Sequence, residues 1–304
     1  MRRCSFHLAA LAVFVASSAL VGCGGKAKDE GPPADAKLEQ ANTAGTQALS
    51  VDLPAVAVRQ YKLALARAYE RDDAAAIGDV GGNLALAQMR TGDSKAALAT
   101  VRETRTELDR RHAEVPPELI LVQAAASYRN GDAAGAESAA AEALGRAPAG
   151  SDVARRAWFI RGMVAAERGD GAALAKAIAA LPPVLAGTKQ SALDGDRSEL
   201  VGRSALLDGR AAEAQAAFEQ AAAERRESLD YRGMARALAL AGEAALKAGR
   251  TGDAAAFYLR AGHSTMLQGD KPAARTLLKR AEDLARASGD SRTASEAAKL
   301  RQSS

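Results

Sequence analysis

The sequence predicts an all-α fold, a solenoid of antiparallel helix hairpins with a period of about 38–40 residues. Three observations carry this. About a quarter of the 304 residues are alanine and only 4% are aromatic. That composition favours helix, because alanine loses no side-chain entropy there and strands call for β-branched and aromatic residues. A glycine followed by Asp or Arg recurs between alanine-rich stretches, at Gly92, Gly131, Gly169, Gly209, Gly249 and Gly289, with separations of 39, 38, 40, 40 and 40 residues. Such a turn has a mechanism: glycine takes the left-handed conformation that closes one helix, and an aspartate after it caps the amides that open the next.

In chain order, residues 1–22 read as a leader. Arg2 and Arg3 precede an apolar stretch from Leu8 to Val21, which is shorter than the roughly 20 residues of a membrane-spanning helix. The stretch ends in Leu20-Val21-Gly22-Cys23, which resembles the lipobox of a bacterial lipoprotein signal peptide. The resemblance implies cleavage before Cys23 and lipidation of its thiol. The other cysteine, Cys4, lies in the leader, so no disulfide pair is left. Long acyl chains, at about 0.8 kcal/mol per buried methylene, hold such a protein to a bilayer without a further membrane-binding segment. Gly24 stands where an aspartate would resemble the signal for inner-membrane retention, so the expected location is the outer membrane, facing the periplasm. Residues 23–36 form the anchor and a flexible tether; GGKAKDEGPPADA, from Gly24 to Ala36, has nothing to bury.

Residues 37–52 form a weakly helical lead-in, and the repeat domain is expected to occupy residues 53–304. Asp52-Leu53-Pro54 places a capping residue and a first-turn proline before a helix that runs to about Glu70, the expected first helix of the solenoid. Arg71-Asp72-Asp73 and Gly269-Asp270 fall halfway between the periodic turns and mark the opposite ends of helix pairs. Two breaks interrupt the array, Glu114-Val115-Pro116-Pro117 and the longer stretch from Pro182 to Asp196. The polar segment Ser291 to Leu300 suits a capping helix.

Around the turns the sequence resembles the tetratricopeptide repeat. Seven residues before the turn, where that family places a small residue, stand Ala85, Ala124, Gly162, Gly202 and Gly242, with Gly262 before the half-period turn. Five after it stand Ala97, Ala136, Ala214, Ala254 and Ala274, with Leu174 the exception. Nine after it, Val101, Ile178, Phe218, Tyr258 and Leu278 supply the usual large apolar residue, whereas Ala140 does not. Trp158 and Pro148 also fall at favoured family positions. The resemblance covers roughly residues 75–290, exceeds the family's usual period, and leaves the register open between Gly249 and Gly269. It implies a right-handed solenoid whose concave face binds protein partners.

Chemistry is sparse. The mature chain keeps two histidines, His112 and His263, far apart and without a carboxylate or thiol cluster, so no metal or other cofactor is expected. No phosphate loop, dinucleotide fingerprint, nucleophile elbow or zinc-protease motif occurs. The formal charge of +4 falls to +2 without Arg2 and Arg3, and acids and bases alternate, which argues against a nucleic-acid footprint. Small-molecule substrates have no evident site. What remains is a surface. The first helix of each pair would line the groove, and its candidate protein-binding residues are Arg90, Tyr128, Arg129, Arg156, Phe159, Arg203, Glu243 and Lys247. The expected function is a lipid-anchored, non-catalytic adaptor holding a protein partner within an envelope assembly, secretion or pilus machine. An envelope enzyme with a helical scaffold, or a spacer without a specific ligand, remain open on the sequence.

Overall fold

Residues in the left-handed backbone region punctuate the chain. Asp52, Asp72, Gly92 and His112 follow one another at 20-residue intervals, as do Gly209, Leu229, Gly249, Gly269 and Gly289, with φ between 51° and 88°. Each closes one helix, and the next begins two residues on, except after His112, where α5 waits until Pro117. The computed structural model describes residues 34–182 and 193–303, and fourteen helices and no strand occur among them. The N-terminal part comprises α1 (Ala36–Ser50), α2 (Pro54–Glu70), α3 (Ala74–Arg90) and α4 (Ser94–Arg110). The middle holds α5 (Pro117–Arg129), α6 (Ala133–Arg146), α7 (Asp152–Arg168), α8 (Gly171–Ala180) and α9 (Asp196–Leu207). The C-terminal part consists of α10 (Ala211–Glu227), α11 (Tyr231–Lys247), α12 (Thr251–Leu267), α13 (Lys271–Ala287) and α14 (Ser291–Ser303).

Helix starts follow the aspartates. Asp73, Asp93, Asp132, Asp170, Asp230 and Asp270 each accept a hydrogen bond from the backbone N–H three residues on, satisfying a donor that the helix itself leaves free. Where arginine follows the turn glycine, at Arg210 and Arg250, no side-chain cap forms. Those two helices carry Glu213 and Asp253 in the first turn, favourable charges at that end of the helix dipole.

Packing explains the small residue before each turn. A Cβ on Gly202 would lie 2.6 Å from the Phe218 ring, and one on Gly262 would lie 2.8 Å from Leu278. In both cases a residue seven before the turn opens space for the large residue nine after it. Phe218 and Leu278 are fully buried there, and each such side chain contributes about 1.5–3 kcal/mol. Helices pack antiparallel on their sequence neighbours, and α3, α5, α7 and α9 also touch one another in succession, making one wall of the array. Toward the C-terminus α12 touches α14. Gly242 against Tyr258 and Gly262 against Leu278 give the hairpins on either side of α12 the same contact, so both sequence registers near Gly249 and Gly269 are realised. The curvature also brings distant parts together: Arg232, at the start of α11, donates to Asp52, 180 residues earlier, at 2.7 Å.

Three expectations change. The segment at 37–52 is a full helix, α1, and the solenoid begins there instead of at Pro54. Asp35 caps it, and Gly45 lets it close on Tyr61, where an added Cβ would sit 2.7 Å from the ring. Asp52 is not a helix cap; Leu53 holds that position without a side-chain bond, and Asp52 forms the left-handed turn and the contact to Arg232. Helix length is also less uniform than the spacing implied, since α8 and α9 have 10 and 12 residues. The leader, Cys23 and the tether up to residue 33 lie outside the described residues, as do residues 183–192 of the second break.

Candidate functional site

The site is built from α3, α5, α7, α9 and α11 together with Arg225 of α10. At its back stands a knot of charges that the surrounding helices bury. Arg225 of α10 is 1% exposed, Asp196 2% and Glu199 0%. Arg225 donates to Asp196 at 3.2 Å and pairs with Glu199 at 2.6 Å, and it also reaches the Gly233 carbonyl at 3.3 Å. Arg156 of α7 holds both oxygens of Asp196, at 3.1 and 2.9 Å. Glu199 takes Arg203 at 3.0 Å and Arg236 at 3.4 Å. Burial pushes the Glu199 carboxyl up, but Arg225, Arg236 and Arg203 together pull it down to about 2. At Asp196 burial is the larger influence and raises the pKa against the pull of Arg156 and Arg225. The knot thus ties α7, α9, α10 and α11 together with four arginines around two shared carboxylates.

In front of the knot runs the inner wall. Tyr128 of α5, half-buried, donates its hydroxyl to Glu167 of α7. Desolvation and the hydrogen bond to Glu167 raise its pKa above the usual tyrosine range. Arg129 closes α5 and donates to the Met89 carbonyl at 2.9 Å, satisfying an acceptor in the last turn of α3. Its side chain is exposed. Desolvation, then the charges of Arg236, Arg90 and Arg232, push it below the usual arginine range. Those partners come from α3 and from α11, more than 100 residues further on. Arg90 is exposed and makes no hydrogen bond or ion pair among the described residues.

The sequence-derived candidates therefore divide. Arg90, Tyr128 and Arg129 stand on the neighbouring helices α3 and α5, which the Arg129 bond to Met89 joins, and Arg203 shares Glu199 with Arg236, a residue that sequence reasoning missed, as it did Arg232 beside it. A signal for Arg236 existed: it stands thirteen residues before Gly249, as Arg156 stands thirteen before Gly169. Arg156 and Arg203 are tied into the buried knot. Phe159 is 8% exposed, packs with Met163, Leu174 and Leu200, and carries the Arg156 guanidinium 6.0 Å from its ring centre. Glu243 and Lys247 are exposed further along α11, on the stripe that continues Arg232 and Arg236 at helical spacing. A pocket of about 230 Å³ lies between α11 and α13, walled by Arg232, Ala235, Arg236, Ala239, Ala273 and Leu277. Among the described residues no group of three His, Cys, Asp or Glu side chains could hold a metal ion, and no helix is long and apolar enough to cross a membrane.

The helices, their glycine-hinged turns and the paired small and large residues define a tetratricopeptide-like helical repeat array. No protein-family model matches the sequence, and no curated protein matches it. Solved structures of repeat proteins are similar over most of its length. A tetratricopeptide repeat protein from Parabacteroides merdae is 16% identical over 88% of this chain and 99% of its own, with a TM-score of 0.48. The tandem repeat domain of yeast Sti1, solved as a complex with an Hsp90 peptide, is 13% identical over 87% of this chain and 97% of its own, with a TM-score of 0.36. The MamA protein is 15% identical over 64% of this chain and 95% of its own, at 0.41.

Proposed function

We propose that the chain is a non-catalytic adaptor that holds a protein partner along the inner wall of its helical array, tethered to an envelope membrane by lipid on Cys23. One observation carries the reading: α3, α5, α7 and α9 pack on one another in succession and form one wall of the array. An extended surface presented by stacked hairpins suits a polypeptide better than a small molecule, because recognition is spread over many helices. The lipobox motif supports the anchor, and Gly24 after Cys23 supports an outer-membrane position facing the periplasm. Assembly, secretion or pilus machinery is the setting in which such a tethered adaptor would work.

The test is affinity capture of the native lipoprotein from detergent-solubilised membranes, with mass spectrometry of both partners. A defined protein recovered at constant ratio is the expected result, together with a diacylated Cys23 and its loss from the membrane fraction in Cys23→Ser. Recovery of no partner under crosslinking would overturn the adaptor reading, and an unmodified Cys23 in the mature chain would overturn the anchor.

A further inference from the structure

Two turns carry residues that the fold does not ask for. Where α10 passes into α11 the left-handed position holds Leu229, at φ 62°, although Gly209, Gly249, Gly269 and Gly289 hold it in the neighbouring turns. Where α1 passes into α2 the cap position holds Leu53, which makes no side-chain bond, although aspartates cap α3, α4, α11 and α13. Leucine strains the backbone in the first place and leaves an amide uncapped in the second. Neither side chain gains burial in exchange, since Leu229 is 69% exposed and Leu53 51%.

Both belong to one patch. Arg232 donates to Asp52 at 2.7 Å, and the Gln268 side chain donates to the Tyr231 carbonyl at 3.2 Å, so the α1–α2, α10–α11 and α12–α13 turns meet. Five of the eight large hydrophobic side chains exposed among the described residues stand there: Val51, Leu53, Leu229, Tyr231 and Leu267. The carboxylates between them are engaged, Asp52 with Arg232, and Asp230 and Asp270 with the amides of Gly233 and Ala273. Protruding aliphatic side chains and a tyrosine, with the acidic charge met inside the fold, suit the headgroup boundary of a bilayer.

The chain's own anchor brings a bilayer within reach. Asp35, where the array starts, is held by Arg67 and Arg71 at the far end of α2. The patch therefore lies one helix away from it, about 22 Å for the 15 residues of α1. Residues 23–34 can span up to about 40 Å, enough for lipid on Cys23 to stay in the membrane while the turns touch it. A tethered surface also meets the bilayer at high effective concentration, so a shallow contact suffices.

We propose that these three turns dock on the membrane that carries the chain's lipid, with Val51, Leu53, Leu229, Tyr231 and Leu267 entering the headgroup boundary. This rests on the anchor in the proposed function and adds to it a fixed orientation of the array on the bilayer.

Trp158 is the only tryptophan and lies outside the patch, so it supplies a baseline. The experiment places the mature lipoprotein on vesicles of phosphatidylethanolamine and phosphatidylglycerol, with and without bromine on the acyl chains. Tyr231→Trp is expected to lose about half of its added emission to brominated lipid, as an indole at headgroup level does, while the wild-type emission holds. Adding Leu53→Ser and Leu229→Gly is expected to weaken docking about tenfold and to remove most of that quenching. These two changes supply the missing cap and the missing glycine, so the thermal melt is expected not to fall and unfolding cannot mimic the result. Lipoprotein that floats with the vesicles without quenching of Tyr231→Trp, or with quenching that the leucine changes leave intact, overturns the docking and leaves the anchor standing. Protein that does not float overturns the anchor and the docking with it. A concentration-dependent dimer of the Cys23→Ser chain that the leucine changes abolish would assign the patch to a second copy and overturn the proposal as well.

Discussion

The two ends of the array and its middle are built by different means. In α2–α4 and α10–α13 every helix has 17 residues and every turn falls at the same interval. Those parts are held by alanine faces and by glycines that admit one large side chain. The middle, α5–α9, has helices of 13, 14, 17, 10 and 12 residues. Where it meets the C-terminal part, uneven helix ends leave polar groups inside, and there the buried arginine-carboxylate knot closes the structure. Regular spacing permits mostly apolar stacking, with isolated exceptions such as the buried Glu282 of α13; where the regular α10 meets the irregular middle, a directional network of several buried charges joins the helices.

If that contrast is right, the largest effect belongs to the knot. Arg225→Ala leaves Asp196 and Glu199 buried without their shared cation, and about 3–5 kcal/mol of stability is expected to disappear in urea unfolding. A loss below about 1 kcal/mol would place the knot on the surface in solution. Acid should find the same weak point. The Glu199 carboxyl is depressed in the folded state, so its contribution is fully present above the unfolded carboxylate range and vanishes as pH falls through about 2. Hydrogen exchange measured from pH 5 downward is expected to show α9 and α10 losing protection before α12 and α13.

The regular part predicts smaller effects. Gly202→Ala drives a Cβ to 2.6 Å from the fully buried Phe218 ring, and should destabilise by about 1–3 kcal/mol. Gly242→Ala, whose nearest neighbour in Tyr258 lies at 3.0 Å, should cost less. Equal losses in thermal melts would mean that the two hairpins pack alike and the graded fit is not real. The smallest effect runs the other way. Leu229 is 69% exposed and holds φ at 62°, so Leu229→Gly relieves a strained backbone at the expense of unfolded-chain entropy. A gain of about 0.5 kcal/mol in chemical denaturation is expected.

Much of the fold was legible because its punctuation is chemical. Gly92, Gly131, Gly169, Gly209, Gly249 and Gly289 all take the left-handed conformation that the turns require, and the residue pairs around them pack as their sizes suggest. The finer 20-residue interval showed only at Arg71-Asp72-Asp73 and Gly269-Asp270, because Asp52, His112 and Leu229 fill equivalent turns without being glycine; tertiary packing on both flanking helices overrides their backbone preference. Lys37 to Leu49 read as weak helix because its polar composition says nothing of Tyr61, which it covers. The site was legible by half. Arg90 and Arg129 stand two residues before their turn glycines, so spacing places them on a common face. Their approach to Arg232 and Arg236 depends on the curvature of the whole array, which no local pattern encodes. Arg225 carries no local signal of burial: it stands beside Arg226 on an alanine-rich helix, and its burial comes from helices before and after it.

The bond between Asp52 and Arg232 makes this array more than a string of neighbours. In a linear stack, disturbance at one end fades over adjacent units; a clasp across 180 residues gives the ends a direct line to each other. Both side chains are 40% or more exposed, and such pairs are worth at most about 1 kcal/mol. Rising ionic strength weakens such a pair, so this long-range link is a salt-sensitive one that can be lost without disturbing a helix.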